Sequence, residues 1–213
     1  MRHQAIALRK EGRFEPSWSE KSVESSTGAI TTTRFDKEGV YACEPDGGDY
    51  DTAPDLLRYM TAIITYLPPI LNRENPDLDL SNQAFNAKLA VTLPGGSVYP
   101  LHVDNTQGLS SQDVRKLTVI LYLNPSYNEA QDGGALRLYL KENTILDLSP
   151  MGGRLVMFWS DEIPHEVLPT APHAREHEET LHRYALTIWL PTDNYRTIHS
   201  ETSPFKEIRQ RVF

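Results

Sequence analysis

Residues 116–124 read KLTVILYLN. Leu117, Val119, Leu121 and Leu123 alternate with Lys116, Thr118, Ile120 and Tyr122. A period of two sends the two sets to opposite faces of a β-strand. Residues 85–93, FNAKLAVTL, repeat the pattern with Phe85, Ala87, Leu89, Val91 and Leu93 on one face. Shorter runs follow at 135–140 (ALRLYL), 144–148 (TILDL), 154–159 (RLVMFW), 165–170 (HEVLPT) and 183–190 (RYALTIWL). Turn signals separate them: PGG at 94–96, DGG at 132–134 and PMGG at 150–153. Many short strands with such punctuation predict a sandwich, barrel or jelly roll.

Upstream the period changes. Leu56, Leu57, Met60, Ile63, Ile64 and Leu67 fall at helical spacing, with Pro54 and Asp55 suited to a first turn. Pro68-Pro69 predict the end of this helix or a kink near it. It is expected to cover one outer face of the strands, which makes the class an all-β core with supporting α (α+β). Residues 1–36 are polar and rich in Ser and Thr, with scattered aromatics at Phe14, Trp18 and Phe35. They read as a loosely structured arm ahead of a single domain over 37–213.

Composition narrows the function. The chain has 213 residues, enough for one large domain. Its formal charge is -8 and it has no basic stripe, so nucleic acid is not an expected partner. Cys43 is the only cysteine, which excludes an internal disulfide and a Cys-based zinc site. No stretch is apolar enough for a signal peptide or a membrane span, so a reducing compartment, cytosol or nucleus, is expected without membrane contact.

Chemistry enters at 98–108, VYPLHVDNTQG. On a strand His102 and Asp104 share a face, and one imidazole plus one carboxylate are two members of the facial triad of non-haem Fe(II) oxygenases. A third ligand must be a distant His. His165 opens the strand-like run HEVLP. His173, His177 and His182 lie in APHAREHEETLH, a polar segment that reads as a solvated loop, although His173 and His177 would align on a helix as a second metal pair. His165 is the preferred ligand. Arg183 shares a strand face with Ala185, Thr187 and Trp189. On a buried face its guanidinium needs a carboxylate, which a small dicarboxylate could supply bidentately; at a strand edge it would simply reach solvent.

The order His-x-Asp, His, Arg resembles the 2-oxoglutarate- and Fe(II)-dependent dioxygenases, whose core is a double-stranded β-helix. Within that superfamily the chain is similar to prolyl 4-hydroxylases of the hypoxia-inducible-factor type. The likeness is carried by YPLHVDN at 99–105, LTVILYLN at 117–124, GGALRLY at 133–139, RLVMFWSDEIPHEVLP at 154–169 and RYALTIW at 183–189. It covers roughly 85–190. The resemblance implies a dioxygenase domain over 37–213 in which His102, Asp104 and His165 hold Fe(II). It implies that Arg183 grips the distal carboxylate of 2-oxoglutarate with Tyr122 in support, with Thr187 and Trp189 along the pocket wall. Tyr99 and Asn105 would face the substrate, with Tyr99 on the opposite pleat from His102 by simple alternation.

Fe(II), 2-oxoglutarate, O2 and ascorbate as reductant are the implied cofactors. A peptidyl proline is the implied target, with succinate and CO2 released by a monomeric protein. Oxidation of a free amino acid and a catalytically silent cupin-like module are the competing readings. Residues 105–115, NTQGLSSQDVR, lie where a lid is expected. Two departures stand out. APHAREHEETLH lengthens the gap before Arg183, bringing His173 nearer the usual distance, and a tyrosine found in the hypoxia members near the position of Leu93 is absent.

Overall fold

A computed structural model describes residues 1–24, 30–95, 98–105, 113–172 and 179–199. Helix α1 (Arg2–Lys10) leads into strands β1 (Glu15–Glu24) and β2 (Ile30–Cys43), followed by helix α2 (Pro54–Glu74). Then come β3 (Asn86–Thr92), β4 (Tyr99–His102), β5 (Arg115–Tyr122), β6 (Leu136–Tyr139), β7 (Ile145–Leu148), β8 (Leu155–Trp159), β9 (His165–Val167) and β10 (Arg183–Pro191). They form a six-stranded sheet, β1-β2-β3-β10-β5-β8, and a four-stranded sheet, β4-β9-β6-β7, with every pairing antiparallel. This is the expected jelly roll with helices on one face.

The alternation in β3, β5 and β10 sorts their side chains between two cores. Leu89, Val91, Leu117, Val119, Leu121, Leu186 and Ile188 face the helices and meet Leu56, Met60 and Ile64 of α2. Ile120, Tyr122 and Ala185 turn the other way and meet Leu136, Leu138, Val156, Phe158 and Val167. The larger sheet is therefore covered on both sides, and its inner face is free to carry chemistry where the second core thins out. Cys43 ends β2 inside the helix-side core, where burial pushes its thiol up to about 12.

Two expectations change. Helix α2 runs through Pro68 and Pro69 to Glu74, because Leu67, Pro68 and Leu71 pack on the core and outweigh the backbone hydrogen bonds the prolines forgo. The arm expected at 1–36 is ordered where it is described, and the boundary expected at residue 36 falls inside β2. Ala5 and Leu8 of α1 are fully buried, a face too short to stand out in a polar segment. Gln4 Oε1 accepts from the Leu56 backbone amide at 3.0 Å, satisfying a first-turn donor of α2, whose N-cap residue offers no side-chain cap. Arg2 donates to Leu123 O at 3.0 Å, Asn124 Oδ1 at 2.8 Å and His182 O at 2.9 Å, tying α1 to the end of β5 and the entry of β10.

One buried cation braces the turn ahead of β9. Lys116, 3% exposed, donates to Asp161 Oδ1 at 3.0 Å, Glu162 Oε1 at 3.1 Å and Thr197 O at 2.8 Å. Lys116→Met would leave the Asp161 carboxylate buried beside an apolar chain, a change that costs about 3 kcal/mol. Urea unfolding should show that loss as a lower midpoint with an unchanged slope.

Candidate metal centre

The two sheets bring His102 and His165 together, since the register of β4 and β9 sets them opposite each other. Their ring centroids lie 4.3 Å apart. Each Nδ1 faces a backbone carbonyl two residues back, Pro100 O at 2.7 Å and Ile163 O at 3.0 Å. A carbonyl only accepts, so both Nδ1 atoms carry the proton and both Nε2 atoms keep a lone pair. Both lone pairs aim at one carboxylate oxygen: Asp104 Oδ1 is 3.4 Å from His102 Nε2 and 3.7 Å from His165 Nε2. The other oxygen, Oδ2, is already used, accepting from Thr118 Oγ1 at 2.7 Å and Trp189 Nε1 at 2.9 Å. Two nitrogens and one oxygen thus converge, and backbone carbonyls and neighbouring side chains fix the orientation of each. That is how a protein presents a facial set to a first-row divalent ion.

The electrostatics agree. Burial alone would raise the Asp104 carboxyl, but its neighbours His102 and His165 and the Thr118 hydroxyl outweigh burial and hold it well below the usual range. Burial depresses His165 to about 4 despite the nearby Asp104 carboxylate. At neutral pH the carboxylate is ionised and the buried imidazole neutral, the forms that bind metal. A second cluster, Asp161, Glu162 and His199, surrounds the Lys116 ammonium, which takes the place a cation would occupy.

Beside this centre, Arg183 opens β10 with its side chain 7% exposed. Its Nε donates to Gly134 O at 2.9 Å, and Nη2 lies 3.5 Å from Tyr122 Oη. Among the described residues no carboxylate pairs with it, so a cation sits enclosed without an anion. Burial raises both Tyr122 and Tyr99, which stay protonated as donors. The Tyr99 hydroxyl is enclosed beside Ser17 and lacks a partner at full hydrogen-bond geometry. An enclosed guanidinium without an anion and an orphaned hydroxyl fit a small carboxylate ligand. Gly134 makes room for the arginine, because a Cβ there would sit 3.1 Å from Arg183 Cδ.

Other expected residues are placed differently. Tyr99 shares the inner core with Tyr122, on the same side as His102, because an irregularity in β4 between them offsets the alternation. Trp189 holds Asp104 in place, a more specific task than walling a pocket. Thr187 lies on the inner face between Lys88 and Ile120. Asn105, expected at the substrate, is buried, and its amide donates to Asp113 O at 2.8 Å and Arg115 O at 3.1 Å, closing the ends of the segment between them. His182, expected in a solvated loop, is buried with Nδ1 2.7 Å from Arg9 Nη1. His173, His177 and the middle of the expected lid, 106–112, lie outside the described residues. Leu93 packs toward the helix-side core, and the residue set opposite Arg183 is the buried Thr92. Thr118 and Ser160 were not singled out; with the Thr118 hydrogen on Asp104, Ser160 Oγ donates to Thr118 Oγ1 at 2.7 Å.

A family model described as the 2OG-Fe(II) oxygenase superfamily matches residues 87–191. A Caenorhabditis elegans hypoxia-inducible factor prolyl hydroxylase is 40% identical over 115 residues, 53% of this chain and 14% of that protein. Human prolyl hydroxylase EGLN3 is 39% identical over 99 residues, 45% of this chain and 36% of the relative. The chain therefore spans a minor part of the curated relatives it matches. Among solved structures, a Trichoplax adhaerens prolyl hydroxylase in complex with a hypoxia-inducible factor peptide superposes with a TM-score of 0.66 at 25% identity, covering 91% of this chain and 77% of that one. A Pseudomonas putida prolyl-4-hydroxylase gives 0.63 at 26% identity, covering 89% and 82%.

Proposed function

Because residues 87–191 belong to the 2OG-Fe(II) oxygenase superfamily, we propose that this chain hydroxylates a proline within a peptide or protein, consuming 2-oxoglutarate and O2. The observation that carries the reading is the convergence of His102 Nε2, Asp104 Oδ1 and His165 Nε2 beside the buried Arg183. Those three atoms would hold Fe(II). When bound together, Fe(II) and 2-oxoglutarate supply the oxidising chemistry that places one oxygen atom of O2 on the substrate and the other in succinate, with CO2 released.

The chain's own residues do the positioning. Arg183 takes the far carboxylate of 2-oxoglutarate, with Tyr122 as a second donor and the buried Tyr99 hydroxyl within electrostatic reach of the guanidinium. Ile120 and Ala185 make the intervening wall apolar and exclude water. Trp189 and Thr118 keep Asp104 Oδ2 engaged, so Oδ1 is the oxygen left for the ion. The prolyl target follows from the prolyl hydroxylases among the relatives, one of them solved with a peptide. Ascorbate serves as reductant, and the protein works as a monomer in cytosol or nucleus. Among the described residues no helix is long and apolar enough to cross a membrane.

Incubation with Fe(II), ascorbate and 2-oxoglutarate should yield succinate, and proline peptides should raise the yield and gain one oxygen by mass spectrometry. Absence of succinate under every condition would overturn the enzymatic reading. Trp189→Phe keeps the bulk of the ring and removes the donor to Asp104. It should weaken Fe(II) binding about tenfold, the lower end for loss of a ligand's outer partner. A metal titration followed by tryptophan-independent calorimetry measures it.

A further inference from the structure

The inner face of β3 carries two features the metal centre does not use. Ala87, Leu89 and Val91 face the helices, so Lys88 and Thr92 face the space between the sheets. Lys88 is half-buried and stands opposite Thr187, two residues before the tryptophan that holds Asp104. Lys37 of β2 reaches the same region, its Nζ 4.0 Å from the centroid of the Tyr99 ring. Burial and the Lys88 charge together lower Lys37 to about 8, with the Asp104 carboxylate acting in the opposite sense. The two ammonium groups and the metal-facing carboxylate are thus within electrostatic reach of one another.

Among the described residues neither lysine has a carboxylate partner. The protein has 29 acidic and 21 Lys and Arg side chains, so partners are not scarce. Arg115, the other cation nearby, is already engaged by Asp113 at 3.0 Å. The ligands proposed above do not compensate the lysines either. The formal charges of Fe(II), Asp104, the 2-oxoglutarate dianion and Arg183 cancel. Two mutually repelling cations therefore remain within electrostatic reach of a charge-balanced centre.

We propose that Lys37 and Lys88 form a subsite for a carboxylate of the peptide substrate, an Asp or Glu close to the residue that is oxidised. This rests on the peptide-hydroxylase reading and adds a determinant of which peptides are accepted. The anion relieves the repulsion between the lysines, so binding energy goes to acidic sequences and is withheld from basic ones.

The test uses the full chain with Fe(II) and 2-oxoglutarate under nitrogen. Fluorescent proline peptides carry one Asp, Asn or Lys, scanned through the positions on either side of the proline. Anisotropy should give about tenfold tighter binding for Asp than for Asn at one position. Lys37→Gln with Lys88→Gln should erase the difference, Lys37→Arg with Lys88→Arg should retain it, and Lys88→Glu should shift the preference to the Lys peptide. Circular dichroism melts confirm that each variant folds. Equal binding of the Asp and Asn peptides, including binding of neither, overturns the proposal. So does a double Gln variant that loses 2-oxoglutarate affinity while keeping its peptide preference, because the lysines would then serve the cosubstrate. Succinate formation without peptide is measured in parallel: its absence counts against the enzymatic reading, whereas the anisotropy preference reports on the subsite alone.

Discussion

His165→Ala should abolish retention of Fe(II) after dialysis and stop 2-oxoglutarate turnover, while His173→Ala leaves both within about twofold of the starting protein. His165 occupies the first position of β9, paired with His102, and its Nε2 aims at the same Asp104 oxygen. Alanine there leaves one nitrogen and one oxygen, too few to hold an ion against water. The loss should exceed about 100-fold in affinity, beyond the range seen when only the partner of a ligand is removed. With the wild-type imidazole depressed to about 4, its proton competes with metal only as the pH falls toward that value. Metal content of dialysed protein across pH 4 to pH 7 reads both effects. A metal-retaining His165→Ala would transfer the third-ligand role to the segment before Arg183.

Arg183→Ala should raise the 2-oxoglutarate concentration needed for half-maximal succinate formation by more than 100-fold, about 3 kcal/mol. The physical cause is the loss of the enclosed guanidinium that meets the carboxylate, leaving Tyr122 and Tyr99 to face a full negative charge. Arg183→Lys should recover part of the affinity, since an ammonium restores charge without the planar fork. A thermal melt distinguishes this from general damage. Without ligand the Ala variant should unfold near the wild-type temperature, because an uncompensated buried charge has been removed along with its bond to Gly134. The rise in midpoint that 2-oxoglutarate gives the wild type should vanish.

The pattern of two was enough to place most of the architecture. In β3, β5 and β10 each face identified from alternation is the face observed, so Arg183, Ala185, Thr187 and Trp189 do share a side. His102 and Asp104 were legible for the same reason, and His165 from the strand that follows a turn. What alternation could not supply was contact across distance. The Thr118–Asp104, Lys116–Asp161 and Trp189–Asp104 pairs join residues 14 to 85 positions apart, and no local spacing encodes them. Tyr99 was misplaced because β4 shifts register between Tyr99 and His102, and Pro100 between them was read as part of a regular alternation. The first helix escaped notice because its fully buried face amounts to Ala5 and Leu8 in an otherwise polar stretch.

The placement of Cys43 bears on how such a protein ages. Iron, ascorbate and oxygen together generate peroxide, and the usual first casualty is an accessible thiolate. Here the sole thiol is enclosed in the helix-side core and stays protonated at any physiological pH. Sulfenic acid formation and intermolecular disulfides are therefore closed routes. Oxidative wear falls instead on thioethers, foremost Met151 and Met157, both about half exposed. The molecule should accumulate methionine sulfoxide while remaining free of covalent dimers, a form of damage that reductases can repair.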